Sequence, residues 1–195
     1  EPPPPGWVVS STPMAEGWFV TVYDAGNDVV KEIRPRLGGV MEVNEADRNA
    51  FRDQVVMDNE QLRLARYPVP QTSVLRGGVG RLRQRKASAL SSERLYSYEA
   101  LEQRGDPAVL VTAQTQFDEQ FERARRQFPR MLFDHKPHGA LYDARGHLVV
   151  WVDPTTPVDP ETVEAIKAQR LAAGLDHVEP LPFFANQPTA PAPPA

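Results

Sequence analysis

The sequence predicts an α+β fold in which a mixed or antiparallel sheet is covered by several helices, with extended proline-rich tails at both ends. Segments rich in aromatic and β-branched residues follow one another across short turns, which is typical of β-hairpins. Segments with helical periodicity and capping residues at their ends lie between these hairpins. Because hairpins join neighbouring strands, this order favours α+β over a wholly parallel sheet. A two-lobed molecule, divided near residues 76–90, is the alternative.

The two ends of the chain are expected to be spacers around one folded domain. Residues 1–6 contain a run of prolines, and residues 185–195 are rich in proline and alanine. Proline fixes φ and lacks the backbone N–H, so both segments favour extended tails. Residues 7–184 remain as the predicted domain. The sequence begins at Glu1 rather than Met, so an upstream leader or membrane anchor is one expectation and a trimmed sequence is the other.

In the first half of the domain, residues 18–23 and 29–33 are predicted to form a hairpin, because turn-forming residues fill the interval between them. A helix is expected to begin at Asn44, whose side chain caps the first turn, and to fade near Asp58. Residues 76–86 interleave glycine with arginine and contain few large apolar side chains. This composition predicts a flexible loop or a segment at the edge of a sheet.

In the second half, a helix is expected over residues 92–104, with Gly105 as its stop. Apolar residues 108–111 are predicted to form a strand, and the next helix is expected to begin at the N-cap Thr115 and to end at Pro129. The remaining predicted elements are a strand at 131–133, a hairpin of residues 140–142 and 148–152, and a last helix opened by Asp159 and Pro160 and stopped by Gly174.

Composition narrows the classes of function. The net charge is -4 and the isoelectric point is about 5.6, so the chain lacks the overall basic charge that is typical of nucleic-acid-binding domains. The sequence contains no cysteine, which excludes disulfides, thiolate metal ligands and cysteine nucleophiles. No apolar run approaches the roughly 20 residues that a membrane-spanning helix requires. No membrane span is therefore expected in this chain.

The stretch that interleaves glycine with arginine is the candidate anion-binding or nucleic-acid-binding site. Its cationic residues are Arg76, Arg81, Arg83, Arg85 and Lys86. Such side chains neutralise phosphates, and the neighbouring glycines would let backbone amides approach an anion. The stretch has no aromatic residue to stack on a base, which counts against single-stranded nucleic acid. The alternatives are a solvated surface loop and a loop that contacts an acidic protein.

Two histidines three residues apart form the candidate metal-binding or acid–base motif. His135 and His138, with Asp143 close in sequence, have the chemistry to hold a metal ion or to exchange protons. Pro137 lies between the histidines and prevents helical spacing, and no third ligand recurs at a recognised interval. A polar loop at the edge of a hairpin is the alternative. No catalytic residue is assigned, and no cofactor is expected.

Aromatic residues near the ends of the domain are candidate partner-binding residues. Trp7, Phe183 and Phe184 would be interface hot spots if exposed, and ordinary core residues if buried. The leading hypothesis is a non-enzymatic assembly or binding protein whose partners are other proteins of a larger complex, in a bacterial envelope or a phage particle. A periplasmic, envelope or virion location is favoured over the cytoplasm. Nucleic-acid binding is the second hypothesis, and a metal-dependent or acid–base enzyme is the third.

Overall fold

The computed structural model describes residues 8–175, and over this range the protein is an α+β structure. The strands are β1 (Pro13–Glu16), β2 (Val20–Ala25), β3 (Asp28–Ile33), β4 (Arg36–Leu37), β5 (Met41–Glu42), β6 (Thr72–Val74), β7 (Arg81–Arg85), β8 (Tyr96–Ser97), β9 (Ala140–Tyr142) and β10 (Leu148–Trp151). The helices are α1 (Glu45–Leu64), α2 (Tyr98–Arg104), α3 (Pro107–Gln127) and α4 (Pro160–Ala172).

Within the described range the strands form three sheets, all with antiparallel pairing. The largest has five strands in the order β1-β2-β3-β7-β6, the second has the order β10-β9-β8, and the third pairs β4 with β5. The predicted α+β class is confirmed. None of the helices found between residues 8 and 175 combines the length and the apolar character needed to cross a membrane.

The predicted first hairpin is confirmed as β2 and β3. Their register runs from Val20 opposite Ile33 to Ala25 opposite Asp28. Gly26 has a φ of +73°, a conformation that glycine adopts without the steric cost of a side chain. This tight turn fixes which residues of β2 and β3 share a face of the large sheet.

The prediction of a flexible loop or edge segment at residues 76–86 is wrong for residues 81–85. These residues form β7, which pairs with β3 on one side and with β6 on the other. Leu82 and Gln84 point to one face of the sheet and are each 1% exposed. The alternating arginines point to the other face, where β3 supplies acidic partners. Strand alternation therefore accommodates a sequence that looked too polar for the interior of a sheet.

Helix α1 begins as predicted but extends further. The Asn44 side chain accepts a hydrogen bond from the amide of Asp47 at 2.8 Å, which confirms the N-cap. The helix continues past Asp58 because that residue and Asn59 are buried and bonded rather than terminal. Asp58 accepts from Gln54 at 2.8 Å, and Asn59 accepts from the Thr155 hydroxyl at 2.7 Å. Burial raises the pKa of the Asp58 carboxyl.

The predicted strand at residues 108–111 is wrong, because these residues form the first turns of α3. Asp106 caps the helix by accepting from the Ala108 amide at 3.1 Å, and Pro107 occupies the first turn. Proline is favoured there because its missing N–H has no partner in the helix. Thr115, the predicted N-cap, lies inside the helix.

Two other predicted elements change in extent. Helix α2 begins at Tyr98, after the N-cap Ser97, rather than near residue 92, and Gly105 ends it as predicted with a φ of +68°. The predicted strand at 131–133 is reduced to an isolated bridge between Phe133 and Thr155.

The hairpin of β9 and β10 and helix α4 are confirmed. Strand β10 pairs with β9 across a turn at residues 143–146. Asp159 caps α4 by accepting from the Thr162 amide at 2.7 Å, and Gly174 follows the helix in a left-handed conformation.

The apolar core forms separate clusters. The largest packs α1, α2 and α3 against β9 and β10, and includes Leu62, Leu101, Phe117, Tyr142 and Trp151. A second cluster packs α4 against the large sheet, and includes Trp18, Phe19, Ile33, Val163 and Ile166. Residues 152–159 connect β10 to α4, and part of this connection lines a cleft together with residues of the large sheet.

Candidate functional site

A cleft of about 350 Å³ lies between the inner face of the five-stranded sheet and segment 153–157; we call it the edge cleft. Its apolar walls include Trp18, Phe19, Val20, Val22, Ile33 and Leu82. Val20 lies opposite Ile33, and directly opposed residues of an antiparallel pair point to the same face. Strand alternation therefore gathers these apolar side chains on one side of the sheet.

The lining of the edge cleft also includes polar groups. The Lys31 ammonium on β3 forms an ion pair with Asp153, and only 12% of the Lys31 side chain is exposed. Asn59 also lines the cleft and accepts a hydrogen bond from the Thr155 hydroxyl. Thr156 is 3% exposed, and its hydroxyl has no hydrogen-bond partner among the described residues. Apolar walls with a few polar groups are typical of binding sites.

The edge cleft opens beside β1, which is an edge strand of the large sheet. Ala15 of β1 lies opposite Val22 and lines the cleft, so its methyl group points to the inner face. All four residues of β1 are exposed. In the described part of the chain, β2 is the only strand paired with β1. The outer edge of β1 therefore presents backbone groups next to an apolar cavity.

Three of the predicted anion-binding residues, Arg81, Arg83 and Arg85, lie on β7 and point to the face opposite the edge cleft. Arg81 contacts Glu32 at 2.7 Å. Arg83 and Arg85 contact Asp28 at 2.8 Å and 3.5 Å. Lys86 contacts Asp24 at 2.7 Å, which lowers the pKa of that carboxyl. Arg76 is exposed in the turn between β6 and β7. The acidic partners on the neighbouring strands were not part of the sequence prediction.

The predicted histidine motif is divided between different partners. His135 stacks on Phe121, with ring centroids 4.1 Å apart, and its Nε2 lies 3.3 Å from Asp118. The His138 ring packs against Tyr98 in a tilted arrangement, with ring centroids 4.8 Å apart. Asp143 pairs instead with His147, whose Nδ1 lies at 3.1 Å, and hydrogen bonds from the backbone and side chain of His147 lower the Asp143 pKa against the opposing effect of burial.

The histidines contact α2 and α3 rather than a shared centre. Among residues 8–175, no group of three or more His, Asp and Glu side chains comes together to hold a metal ion. Burial, and then the positive charge of Lys136, lower the pKa of His138. The arrangement ties the loop after α3 to the helices. A metal or acid–base role of His135, His138 and Asp143 stays a prediction for metal analysis of the purified protein.

The predicted partner-binding aromatics Trp7, Phe183 and Phe184 lie outside the described residues, as do both predicted tails, residues 1–6 and 185–195. Their role stays a prediction.

The sequence analysis missed the edge cleft, because its lining comes from segments more than a hundred positions apart, from Ala15 to Pro157. One local signal was present. In the predicted hairpin, strand alternation places Lys31 on the same face as the apolar Val29 and Ile33. A lysine on an otherwise apolar face indicates a buried ion pair or a polar site.

Neither a protein-family model nor the sequence of a curated protein matches this chain. The functional argument therefore rests on the geometry of the described residues.

Proposed function

We propose that this protein is a non-enzymatic binding protein that captures an extended apolar segment of a partner protein along β1, with one partner side chain inserted into the edge cleft. The observation that carries the proposal is the apolar cleft that opens beside an exposed edge strand. Strand addition at a sheet edge is a common mode of peptide recognition, in which backbone hydrogen bonds supply affinity and side-chain pockets supply specificity.

The geometry of β1 supports insertion into the cleft. A strand added beside β1 places the residue opposite Ala15 on the inner face of the sheet, because directly opposed residues share a face. Alanine is small and leaves the mouth of the cleft open. The inserted side chain would then contact the apolar walls formed by β2 and β3.

The polar groups that line the edge cleft favour a particular kind of side chain. Thr156 offers a buried hydroxyl, and the Lys31–Asp153 ion pair lies on the same lining. A buried hydroxyl without a partner is costly and gains from a hydrogen-bonding ligand atom. We therefore expect an inserted side chain with an apolar body and a polar tip, of which tyrosine is the simplest example.

Selection from a library of short random peptides on the immobilised protein tests this proposal. We expect enrichment of sequences with alternating apolar residues, and loss of binding in Ala15→Trp, because the indole fills the mouth of the cleft. Ala144→Trp is the matched control, since Ala144 is exposed in the turn between β9 and β10. Circular dichroism would verify that both variants are folded.

Two results would contradict the proposal. The first is a selection that yields no alternating apolar sequences. The second is a set of peptides that bind Ala15→Trp as tightly as the unmodified protein. The larger complex in which such a partner belongs, in a bacterial envelope or a phage particle, is part of the same proposal.

Nucleic-acid binding through Arg76, Arg81, Arg83, Arg85 and Lys86 stays a prediction. The acidic partners on β2 and β3 reduce the positive potential that a phosphate backbone would meet. Replacing Arg81, Arg83 and Arg85 by Ala and measuring DNA affinity at low and high salt tests this alternative.

A further inference from the structure

A second concave site lies on the opposite face of the five-stranded sheet and does not depend on the proposed peptide binding. The arginine pocket is a cavity of about 410 Å³ lined by Asp28, Gln71, Ser73, Arg83, Arg85 and Leu90. We propose that the arginine pocket binds a small tetrahedral oxyanion, such as a phosphate group.

The register of β6 and β7 brings the donors of the pocket together. Arg83 and Arg85 are two positions apart on β7, so their side chains share a face. Ser73 on β6 lies directly opposite Arg83. Gln71 lies beside Arg85, whose amide donates to the Gln71 carbonyl at 3.0 Å. Two guanidinium groups, a hydroxyl and a side-chain amide therefore border one cavity.

One carboxylate contacts both guanidinium groups of the arginine pocket. Asp28 is a single carboxylate, and only 4% of its side chain is exposed. It contacts Arg83 at 2.8 Å and Arg85 at 3.5 Å. The Arg85 guanidinium, which Asp28 holds loosely, presents its positive charge to a concave site, where it favours an anion.

Arg85 is the residue best placed to contact the anion. Its distance to Asp28 exceeds the usual 2.7–3.2 Å of an N–H···O hydrogen bond, and 41% of its side chain is exposed. The planar guanidinium binds two oxygens of a phosphate at once. Arg83 also lines the pocket but is held more closely by Asp28, at 2.8 Å.

Arg81 supplies a matched control on the same strand. Its Nε lies 2.7 Å from Glu32, and its side chain is 38% exposed, close to the value for Arg85. Glu32 also forms an ion pair with Arg48, at 3.1 Å. Arg81 does not line the arginine pocket. The variants Arg85→Gln and Arg81→Gln therefore remove the same charge at similar exposure and differ in their distance from the proposed ligand.

The experiment titrates inorganic phosphate into the purified protein at low ionic strength and follows binding by calorimetry and by backbone amide NMR. We expect saturable binding, with shifts at Ser73 and Arg85, that weakens at least about tenfold in Arg85→Gln, because a charge-assisted hydrogen bond is lost. Arg81→Gln should bind phosphate as the unmodified protein does. Circular dichroism verifies the fold of each variant.

Further variants test the roles of the other pocket residues. Ser73→Ala should weaken phosphate binding, because it removes a donor and leaves the charge unchanged. Asp28→Asn should strengthen binding, because it removes the competing carboxylate, although it lowers stability. Unsaturable binding, equal loss in Arg85→Gln and Arg81→Gln, or the same NMR shifts with potassium chloride would overturn the proposal. Acetate binding without phosphate binding would also overturn it, because it indicates a carboxylate site.

Discussion

Single charged residues on the inner and outer faces of the large sheet determine what each face can bind. The Lys31 side chain lies on the inner face, where it pairs with Asp153 in the lining of a largely apolar cleft. Asp28 lies on the outer face and attracts two arginines of β7. Both residues belong to β3, and their separation by an odd number of positions sends them to opposite faces.

The surroundings of His138 predict that the stability of the protein depends on pH. Burial and the charge of Lys136 lower the pKa of His138 below the ordinary value of 6.5, whereas Glu102 and Glu99 act in the opposite direction. The folded state thus disfavours the protonated form more than the unfolded state does. The contribution of neutral His138 to the free energy of unfolding is therefore fully present above about pH 6.5. It is lost as the pH falls through the folded-state pKa of His138.

Replacing His138 by Phe keeps a ring against Tyr98 and removes the titrating group. We expect the free energy of unfolding of His138→Phe to fall less steeply between about pH 7 and pH 5 than that of the unmodified protein. Urea denaturation at several pH values measures this slope. An unchanged slope would contradict the assignment, and His147→Phe, which alters an exposed histidine, is the control.

At the element scale, the sequence predicts the segments with clear local signals. The β2–β3 and β9–β10 turns, the caps at Asn44 and Asp159, and the stop at Gly105 are all local, and each is confirmed. Strand β7 could not be predicted in this way, because its arginines are matched by acids on β3, about fifty positions away.

Helix α3 shows a second reason why local sequence patterns can fail to predict an element. Its apolar first turns suit a strand as well as a buried helix, since a short apolar run does not distinguish the two. The cap at Asp106 and the proline after it decide the outcome. Asp106 and Pro107, directly before the apolar run, were therefore the local signals from which the start of this helix could have been predicted.

Substitutions at the two alternative caps test the start of α3. Asp106→Ala should lower the free energy of unfolding by about 1 kcal/mol, because the Ala108 amide loses its acceptor. Thr115→Ala should be neutral or stabilising, since Thr115 is an exposed position inside the helix and alanine has the higher helix propensity. Urea denaturation compares the two. A larger loss in Thr115→Ala would contradict the structure.

At the scale of the whole molecule, the two proposed sites share one sheet and face away from each other. The edge cleft requires β1, β2, β3 and β7 on one side and segment 153–157 on the other. Residues so distant in sequence give no common motif, so the cleft could not be predicted from the sequence. The arginine pocket was predicted in part. Arg83 and Arg85 were among the predicted anion-binding residues, whereas Asp28, Gln71 and Ser73 were not.

Amide hydrogen exchange with a selected peptide bound tests the central claim, that β1 and the edge cleft form the binding site. We expect slower exchange on addition of the peptide at the amides of β1 and at Trp18 and Phe19, because a new strand covers the free edge and the inserted side chain closes the cleft. Protection confined to the arginine pocket or to the surface of α2 and α3, with β1 exchanging as fast as before, would contradict the claim.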